Sequence, residues 1–149
     1  MTEVPTYVLD ASVALKWLLP LADEDHVPFA RAIFADFRDG KIGLAAPDLI
    51  HAEVGHGLLR AVRRGRISRE HASQAQRLFF SWNVPTVTYL AYVPRFWGRY
   101  QPYGCSFYDG MYLGLAEQLN APLIHADEAL RNTLANRFGL QLWIEDYPG

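Results

Sequence analysis

The sequence has one cysteine among 149 residues, Cys105. A single cysteine cannot form an internal disulfide, and it excludes the common zinc sites that need several cysteines. Long uninterrupted apolar runs are also missing. The N-terminal apolar run, residues 7–19, contains Asp10 and Lys16 and has no basic leader, so it predicts neither a signal peptide nor a membrane span. We therefore expect a cytoplasmic protein with no membrane partner.

Several recognition motifs are absent as well. The chain has no Walker A loop, no G-x-G-x-x-G and no H-E-x-x-H. The segment 51–53, His-Ala-Glu, matches half of a zinc deaminase signature, but the other half needs two cysteines. The formal net charge is only −2, which does not by itself indicate a nucleic-acid partner. With no repeat, linker or low-complexity segment, the sequence predicts one domain over residues 1–149.

Short apolar runs alternate with amphipathic segments along the chain. The runs predict strands at 6–9, 42–46, 84–90, 122–126 and 140–144. The amphipathic segments predict helices at 11–19, 27–38, 47–64, 68–82, 91–101, 106–119 and 128–137. Gly65, Asn120 and Gly139 are predicted to end helices, and Pro85 favours an edge strand. The alternation predicts an α/β fold, a mostly parallel sheet of about five strands with helices on both faces.

Four carboxylates stand in apolar surroundings: Asp10, Glu53, Asp109 and Asp127. An ionised carboxylate in a protein interior costs several kcal/mol unless another charge or hydrogen bonds compensate it. In the predicted fold, two of these acids follow strands and two lie in the first turns of helices that begin at the same side of the sheet. Ligands bind at that side in open α/β folds. A ligand set made only of oxygen favours Mg²⁺ or Mn²⁺ over zinc.

Each acid also has an explanation that needs no metal. The alternatives are helix N-caps at Asp10 and Asp127, a capping box of Ser106 with Asp109, and an ion pair of Glu53 with Arg60. Any one of these explanations is reasonable alone. Together they require four coincidences on one side of the sheet, which favours a shared site.

Arginine and aromatic residues are concentrated in two segments. Five of the twelve arginines lie in residues 60–69, where Arg63 and Arg64 are candidates for binding substrate. Whether this segment binds RNA, binds an acidic partner or only faces solvent remains open. Nine of the twenty aromatic residues lie in residues 89–112. Their near-helical spacing favours a core or protein interface over a surface on which bases stack.

Three segments carry a resemblance to a known family. They are YVLDASVALKWLL, HAEVGHGLLRAVRRGRIS and, the most specific, SFYDGMYLGLAEQLNAPLIHADEAL. Together they resemble the PIN domain, and more narrowly the VapC toxins of bacterial type II toxin–antitoxin pairs, over essentially the whole chain. The resemblance implies a ribonuclease whose Mg²⁺ or Mn²⁺ is held by Asp10, Glu53, Asp109 and Asp127. It also implies products with 5′-phosphate and 3′-hydroxyl ends.

The same resemblance suggests supporting residues and partners. Ser12 matches the small hydroxyl residue that commonly supports the first acid, and Ser106 is a further candidate. His56 and His125 stand where the family often has Asn and Thr or Ser, and we interpret both as polar neighbours rather than ligands. The implied partners are an RNA substrate, a cognate antitoxin and a second copy of the chain. The alternative is a catalytically silent PIN-like module that binds RNA or protein.

Overall fold

Five parallel strands form the sheet in the computed structural model, which describes residues 3–96 and 98–149. The strands are β1 (Thr6–Leu9), β2 (Gly43–Pro47), β3 (Thr86–Val87), β4 (Leu123–His125) and β5 (Gln141–Trp143). Their order in the sheet is β3-β2-β1-β4-β5, and every neighbouring pair is parallel. The carboxyl ends of all five strands therefore lie at one edge, as the sequence predicts.

Helices cover both faces of this sheet. They are α1 (Ala11–Leu18), α2 (Val27–Arg38), α3 (Leu49–Arg63), α4 (Arg69–Ser81), α5 (Val93–Phe96), α6 (Phe107–Leu119) and α7 (Glu128–Leu134), with short 3₁₀ turns at Tyr89–Ala91, Gln101–Tyr103 and Ile144–Asp146. Neighbouring residues of β1 enter different cores: Leu9 packs with α1 to α4, and Val8 packs with α6 and α7. A strand buried on both faces explains why its sequence is continuously apolar. Within the described residues, no helix is long and apolar enough to span a membrane.

Three helix boundaries follow the local sequence signals. Gly65 takes a positive φ of 71° directly after the end of α3, where a left-handed residue closes the helix. Ser68 begins α4 by accepting a hydrogen bond from the backbone N–H of His71 at 3.0 Å. Asn120, with φ of 48°, ends α6. These three predicted boundaries are confirmed.

The predicted strand over residues 84–90 is mostly wrong. Only Thr86 and Val87 pair with β2, because β2 ends at Pro47 and the chain turns there into α3. Residues 89–91 form a 3₁₀ turn instead of continuing the strand. The edge position that Pro85 favours is confirmed, since β3 is the outermost strand on its side of the sheet.

The predicted helices over 91–101 and 128–137 are too long. The first shrinks to α5, because Gly98 with φ of 81° turns the chain and residues 101–103 form a separate 3₁₀ turn; Trp97 lies outside the described residues. The second ends at Leu134 rather than at Gly139. Its last turn is closed by side chains, since the Arg137 guanidinium donates to the Thr133 carbonyl and the Gln141 amide donates to the Ala135 carbonyl.

Candidate metal centre

Asp10 is buried at the point where β1 passes into α1. Its side chain is 8% exposed, and its Oδ2 accepts hydrogen bonds from the backbone N–H of Ser12 at 3.0 Å and from the Ser12 hydroxyl at 2.5 Å. Burial raises the pKa of this carboxyl, the Ser12 hydrogen bonds oppose that rise, and the nearby Asp109 carboxylate adds to it. The N-cap alternative is thus correct for Asp10, but the cap occupies only one of its two oxygens.

Ser12 connects the ends of two central strands. Its hydroxyl donates to Asp10 and accepts from the backbone N–H of Ala126 at 2.9 Å, directly after β4. The backbone N–H of Asp10 also donates to the Ile124 carbonyl at 3.1 Å. These bonds hold the end of β1 against the end of β4, which brings Asp10 to the same side as Asp127.

Asp127 begins α7, two residues after the end of β4. Its Oδ1 accepts from the backbone N–H of Leu130 at 3.1 Å, so it is also an N-cap with one oxygen engaged. The neighbouring His125 is fully buried, its Nε2 lies 2.9 Å from Gln141 Oε1, and its Nδ1 accepts from the backbone N–H of Asp127 at 3.2 Å. Both ring nitrogens are therefore occupied, and His125 orients the backbone of Asp127 rather than pointing a free nitrogen at the acids.

Asp109 lies in the first turn of α6, which begins at the carboxyl edge because a short loop leads from its far end into β4. A capping box joins it to Ser106: the Asp109 backbone N–H donates to the serine hydroxyl at 3.0 Å, and the Ser106 backbone N–H donates to Asp109 Oδ2 at 3.4 Å. Burial raises the pKa of Asp109, Ser106 opposes this, and Asp127 contributes a further rise. This effect of Asp127 on the pKa of Asp109 indicates that the two carboxylates lie near each other.

Glu53 occupies the second turn of α3, on the other side of Asp10 from β4. Its Oε1 is buried and has no hydrogen-bond partner among the described residues. The alternative ion pair with Arg60 does not form: Arg60 is exposed, and none of the ion pairs in the described chain joins the two. Burial raises the pKa of Glu53 to about 7; the Tyr112 hydroxyl opposes this rise, and Asp10, Asp109 and Asp127 add to it.

Electrostatic interactions link the four acids. The charges of Asp10, Asp109 and Asp127 raise the pKa of Glu53, and the charge of Asp109 raises the pKa of Asp10. Lys16, the basic residue of α1, is instead paired with Glu24 at 2.8 Å. The acids therefore repel one another in a partly buried pocket. No lysine or arginine is among the main causes of the pKa shifts of Asp10, Glu53 and Asp109.

The donor chemistry of this pocket fits a hard divalent cation. Three of the acids have one oxygen in a helix cap and a second oxygen available, and the fourth has a buried oxygen with no partner. No three Asp, Glu, His or Cys side chains in residues 3–96 and 98–149 are already gathered as ligands around one point. The acids are held near one another by caps and helix packing, and a cation would have to draw their free oxygens together.

Tyr112 belongs to this pocket although the sequence does not single it out. It lies one helical turn after Asp109 on α6 and is 1% exposed. Its hydroxyl faces the Glu53 carboxylate and the backbone N–H of Ala11 without forming a regular hydrogen bond to either. In the sequence it is one more apolar position in a buried helix; the available signal is its spacing of three residues from Asp109, which places both on one face.

Three of the sequence-predicted residues are exposed on α3 or directly after it. His56, three residues after Glu53, has no hydrogen bond or ion pair to the acids within the described chain. Arg63 and Arg64 are exposed at the far end of the same helix, about 15 Å from Glu53 along the axis for ten residues of α-helix. These arginines can contact only a ligand that extends well beyond the pocket.

The aromatic segment divides between core and surface. Four rings of the segment are buried in the core to which α6 and α7 contribute, which confirms the core interpretation for them: Tyr92, Phe96, Tyr100 and Tyr112. Phe107 and Tyr108 differ, since they are 44% and 57% exposed in the first turn of α6 beside Asp109. These two aromatic rings of the segment are therefore presented to solvent near that acid.

Comparison with known proteins identifies the class to which this fold and pocket belong. The model of the PIN domain family matches residues 7–134, a range that contains all four acids and Tyr112. The chain therefore belongs to the PIN domain family.

Curated relatives place it among the proteins named VapC within that family. It is 33% identical over 127 residues to Ribonuclease VapC9 of Mycobacterium tuberculosis, which covers 85% of this chain and 89% of the relative. The VapC ribonuclease Mb0985 of Mycobacterium bovis matches to the same extent. Ribonuclease VapC1 of Mycobacterium tuberculosis is 35% identical over 92 residues, or 57% of this chain and 63% of that one.

A solved structure shares the fold. It is the crystal structure of VapBC2 from Rickettsia felis bound to a DNA fragment from their promoter, with a TM-score of 0.62 over 93% of this chain and 96% of the matched chain. Sequence identity is 12%, so this likeness concerns the fold alone.

Proposed function

We propose that this protein is the toxin of a toxin–antitoxin pair, an endoribonuclease that uses Mg²⁺ or Mn²⁺ held by Asp10, Glu53, Asp109 and Asp127. The observation that carries the proposal is the buried, unpaired oxygen of Glu53 among three other carboxylates. Such a group destabilises the fold unless a cation binds it. The VapC relatives, which are named ribonucleases, supply the reaction class.

The chain's own residues position the acids for this chemistry. Ser12 holds Asp10 by one oxygen and ties it to the end of β4, so that the other oxygen faces the pocket. The caps at Asp109 and Asp127 fix those side chains in the same way. When bound, the divalent ion would lower the pKa of a water and neutralise charge on the phosphodiester and its departing oxygen.

The proposed partners are inferred from the names of the relatives and of the fold neighbour. The substrate is RNA, because the relatives are named ribonucleases, and a cognate antitoxin is implied because the fold neighbour is a VapBC assembly. We further propose a homodimer. The apolar side chains that remain exposed on several helices provide surface for such partners, among them Phe29, Leu59, Leu78, Phe80 and Leu119.

Mapping of RNA ends in cells tests the reaction. Induction of the wild-type protein should arrest growth and create new RNA ends with 5′-phosphates. Asp10→Asn keeps the size of the side chain and a capping oxygen, so it should fold and produce none of these ends. The same ends in the Asp10→Asn strain would refute the proposed centre. Their absence from both strains, with both proteins folded, would favour the silent binding module.

A further inference from the structure

Tyr112 lies beside three parts of the acid pocket. It projects from α6 one turn after Asp109, and its hydroxyl lies against the backbone N–H of Ala11, directly after Asp10, and against the Glu53 carboxylate of α3. One phenol oxygen thus sits where three acid-bearing elements meet. Its ring is fixed because the side chain is 1% exposed.

Two buried polar atoms lack a well-formed hydrogen bond at this point. Neither Glu53 Oε1 nor the Tyr112 hydroxyl has a partner of regular geometry among the described residues, although the hydroxyl lies close enough to the Glu53 carboxylate to lower its pKa as a weak donor. Buried polar groups are nearly always paired, and an unpaired one costs about 1–3 kcal/mol. Two neighbouring buried atoms that are chemically complementary, a hydroxyl donor and a carboxylate acceptor, but poorly aligned therefore indicate a hydrogen bond that becomes well formed in another state of the pocket.

We propose that Tyr112 is a positioning residue for Glu53: its hydroxyl donates to Oε1 when the carboxylate engages a divalent cation, so that the second oxygen is aimed at the metal. This inference rests on the proposed metal centre. Partners that orient a ligand carboxylate in this way contribute about 10–100-fold to metal affinity. Tyr112 would thus act through Glu53 without touching the metal or the RNA.

Titration of metal-free protein with Mn²⁺ tests the role, with Tyr112→Phe and a matched control. The control is Tyr92→Phe, since Tyr92 is equally buried but its hydroxyl donates to the Met111 carbonyl at 2.7 Å and not to an acid. Tyr112→Phe should bind Mn²⁺ at least about tenfold more weakly and melt close to wild type, because its hydroxyl makes no well-formed hydrogen bond without metal. Tyr92→Phe should melt lower and bind Mn²⁺ as wild type does.

A double-mutant cycle shows whether Tyr112 acts through Glu53. Adding Tyr112→Phe to Glu53→Gln should weaken Mn²⁺ binding less than about twofold further, because the residue that it positions is already impaired; Mn²⁺ paramagnetic resonance reaches the weaker affinities. A full tenfold additional loss in that background would overturn the positioning role, as would wild-type affinity in Tyr112→Phe. Failure of the wild-type protein to bind Mn²⁺ at all would instead refute the proposed metal centre.

Discussion

A carboxylate that is buried among other carboxylates holds its proton more tightly than it does in water. Glu53 is the clearest case, with its pKa raised from 4.5 to about 7 by burial and by the three neighbouring acids. Between these two values, the folded protein binds more protons than the unfolded chain. The contribution of Glu53 to the free energy of unfolding of the metal-free protein should therefore decrease as the pH rises.

This linkage gives a prediction for the protein in a chelator. From pH 5 to pH 8 the free energy of unfolding should fall by on the order of 1–2 kcal/mol for Glu53, after allowance for solvent screening at a partly buried side chain. Urea unfolding at several pH values measures it. Glu53→Gln cannot ionise, so its stability should change less over the same range. An equal or rising stability in the wild-type protein would show that Glu53 is not electrostatically strained.

Single residues of the site differ in how well the sequence reveals them. The four acids stand out because a charge in an apolar segment is costly, whatever the details of packing. Tyr112 does not stand out, because a tyrosine in a buried helix is ordinary until its hydroxyl is seen to lack a partner. Arg63 and Arg64 are basic residues at the wrong end of α3, and distance along a helix becomes meaningful only once the position of Glu53 is known.

At the scale of elements, the packing of α1 against α3 depends on one glycine. A Cβ added at Gly57 would lie 2.6 Å from Cδ1 and 2.7 Å from Cδ2 of Leu15, whereas one added at Gly55 would meet only the Gln76 amide at 3.4 Å. Gly57 thus allows α3, which carries Glu53, to approach closely to α1, which follows Asp10. Gly55 has no such role.

Alanine at these two positions should have opposite effects. Gly57→Ala should lower stability by about 1–3 kcal/mol through overpacking, less the gain in helix propensity. Gly55→Ala should raise stability by up to about 1 kcal/mol, since Gln76 can move aside. Thermal unfolding of both variants measures the difference. Equal effects would mean that Leu15 moves away freely and that Gly57 does not determine the packing.

The cap of α6 joins helix stability to the site. Ser106→Ala removes the hydroxyl that holds Asp109, and Ser68→Ala removes the matching cap of α4, away from the acids. Both should lower the free energy of unfolding by about 0.5–2 kcal/mol. Only Ser106→Ala should also weaken Mn²⁺ binding, because the hydroxyl fixes the backbone N–H of Asp109 and favours the ionised form of its carboxyl. If the two variants bind Mn²⁺ equally well, the capping box has no part in the metal site.

Element boundaries follow the sequence where chemistry is local. The ends of α3, α4 and α6 are set by a glycine, a serine and an asparagine with known preferences, and these were predictable. The shortness of β3 was not, because it depends on where its neighbour β2 ends. The end of α7 was missed for a similar reason, since Arg137 and Gln141 close it from beyond the helix.

At the scale of the whole molecule, the arginine-rich segment is only partly available to a ligand. Arg66 is committed to the fold, since its guanidinium donates to Asp23 at 3.1 Å and to Glu24 at 3.2 Å. Arg60, Arg63 and Arg64 stay exposed on α3. The sequence cannot separate these roles, because the acids that pair with Arg66 lie about forty residues earlier in the chain. The predicted dimer likewise stays a prediction.

Divalent-dependent cleavage of single-stranded RNA by the purified protein tests the central claim most directly. The wild-type protein should be inactive in chelator and regain cleavage with Mn²⁺ or Mg²⁺. Asp109→Asn should cut at least about 100-fold more slowly, whereas Asp39→Asn, an exposed acid paired with Arg38, should cut as wild type does. Undiminished cleavage by Asp109→Asn, or cleavage by the wild-type protein that persists in chelator, would contradict a metal-dependent centre built from these acids.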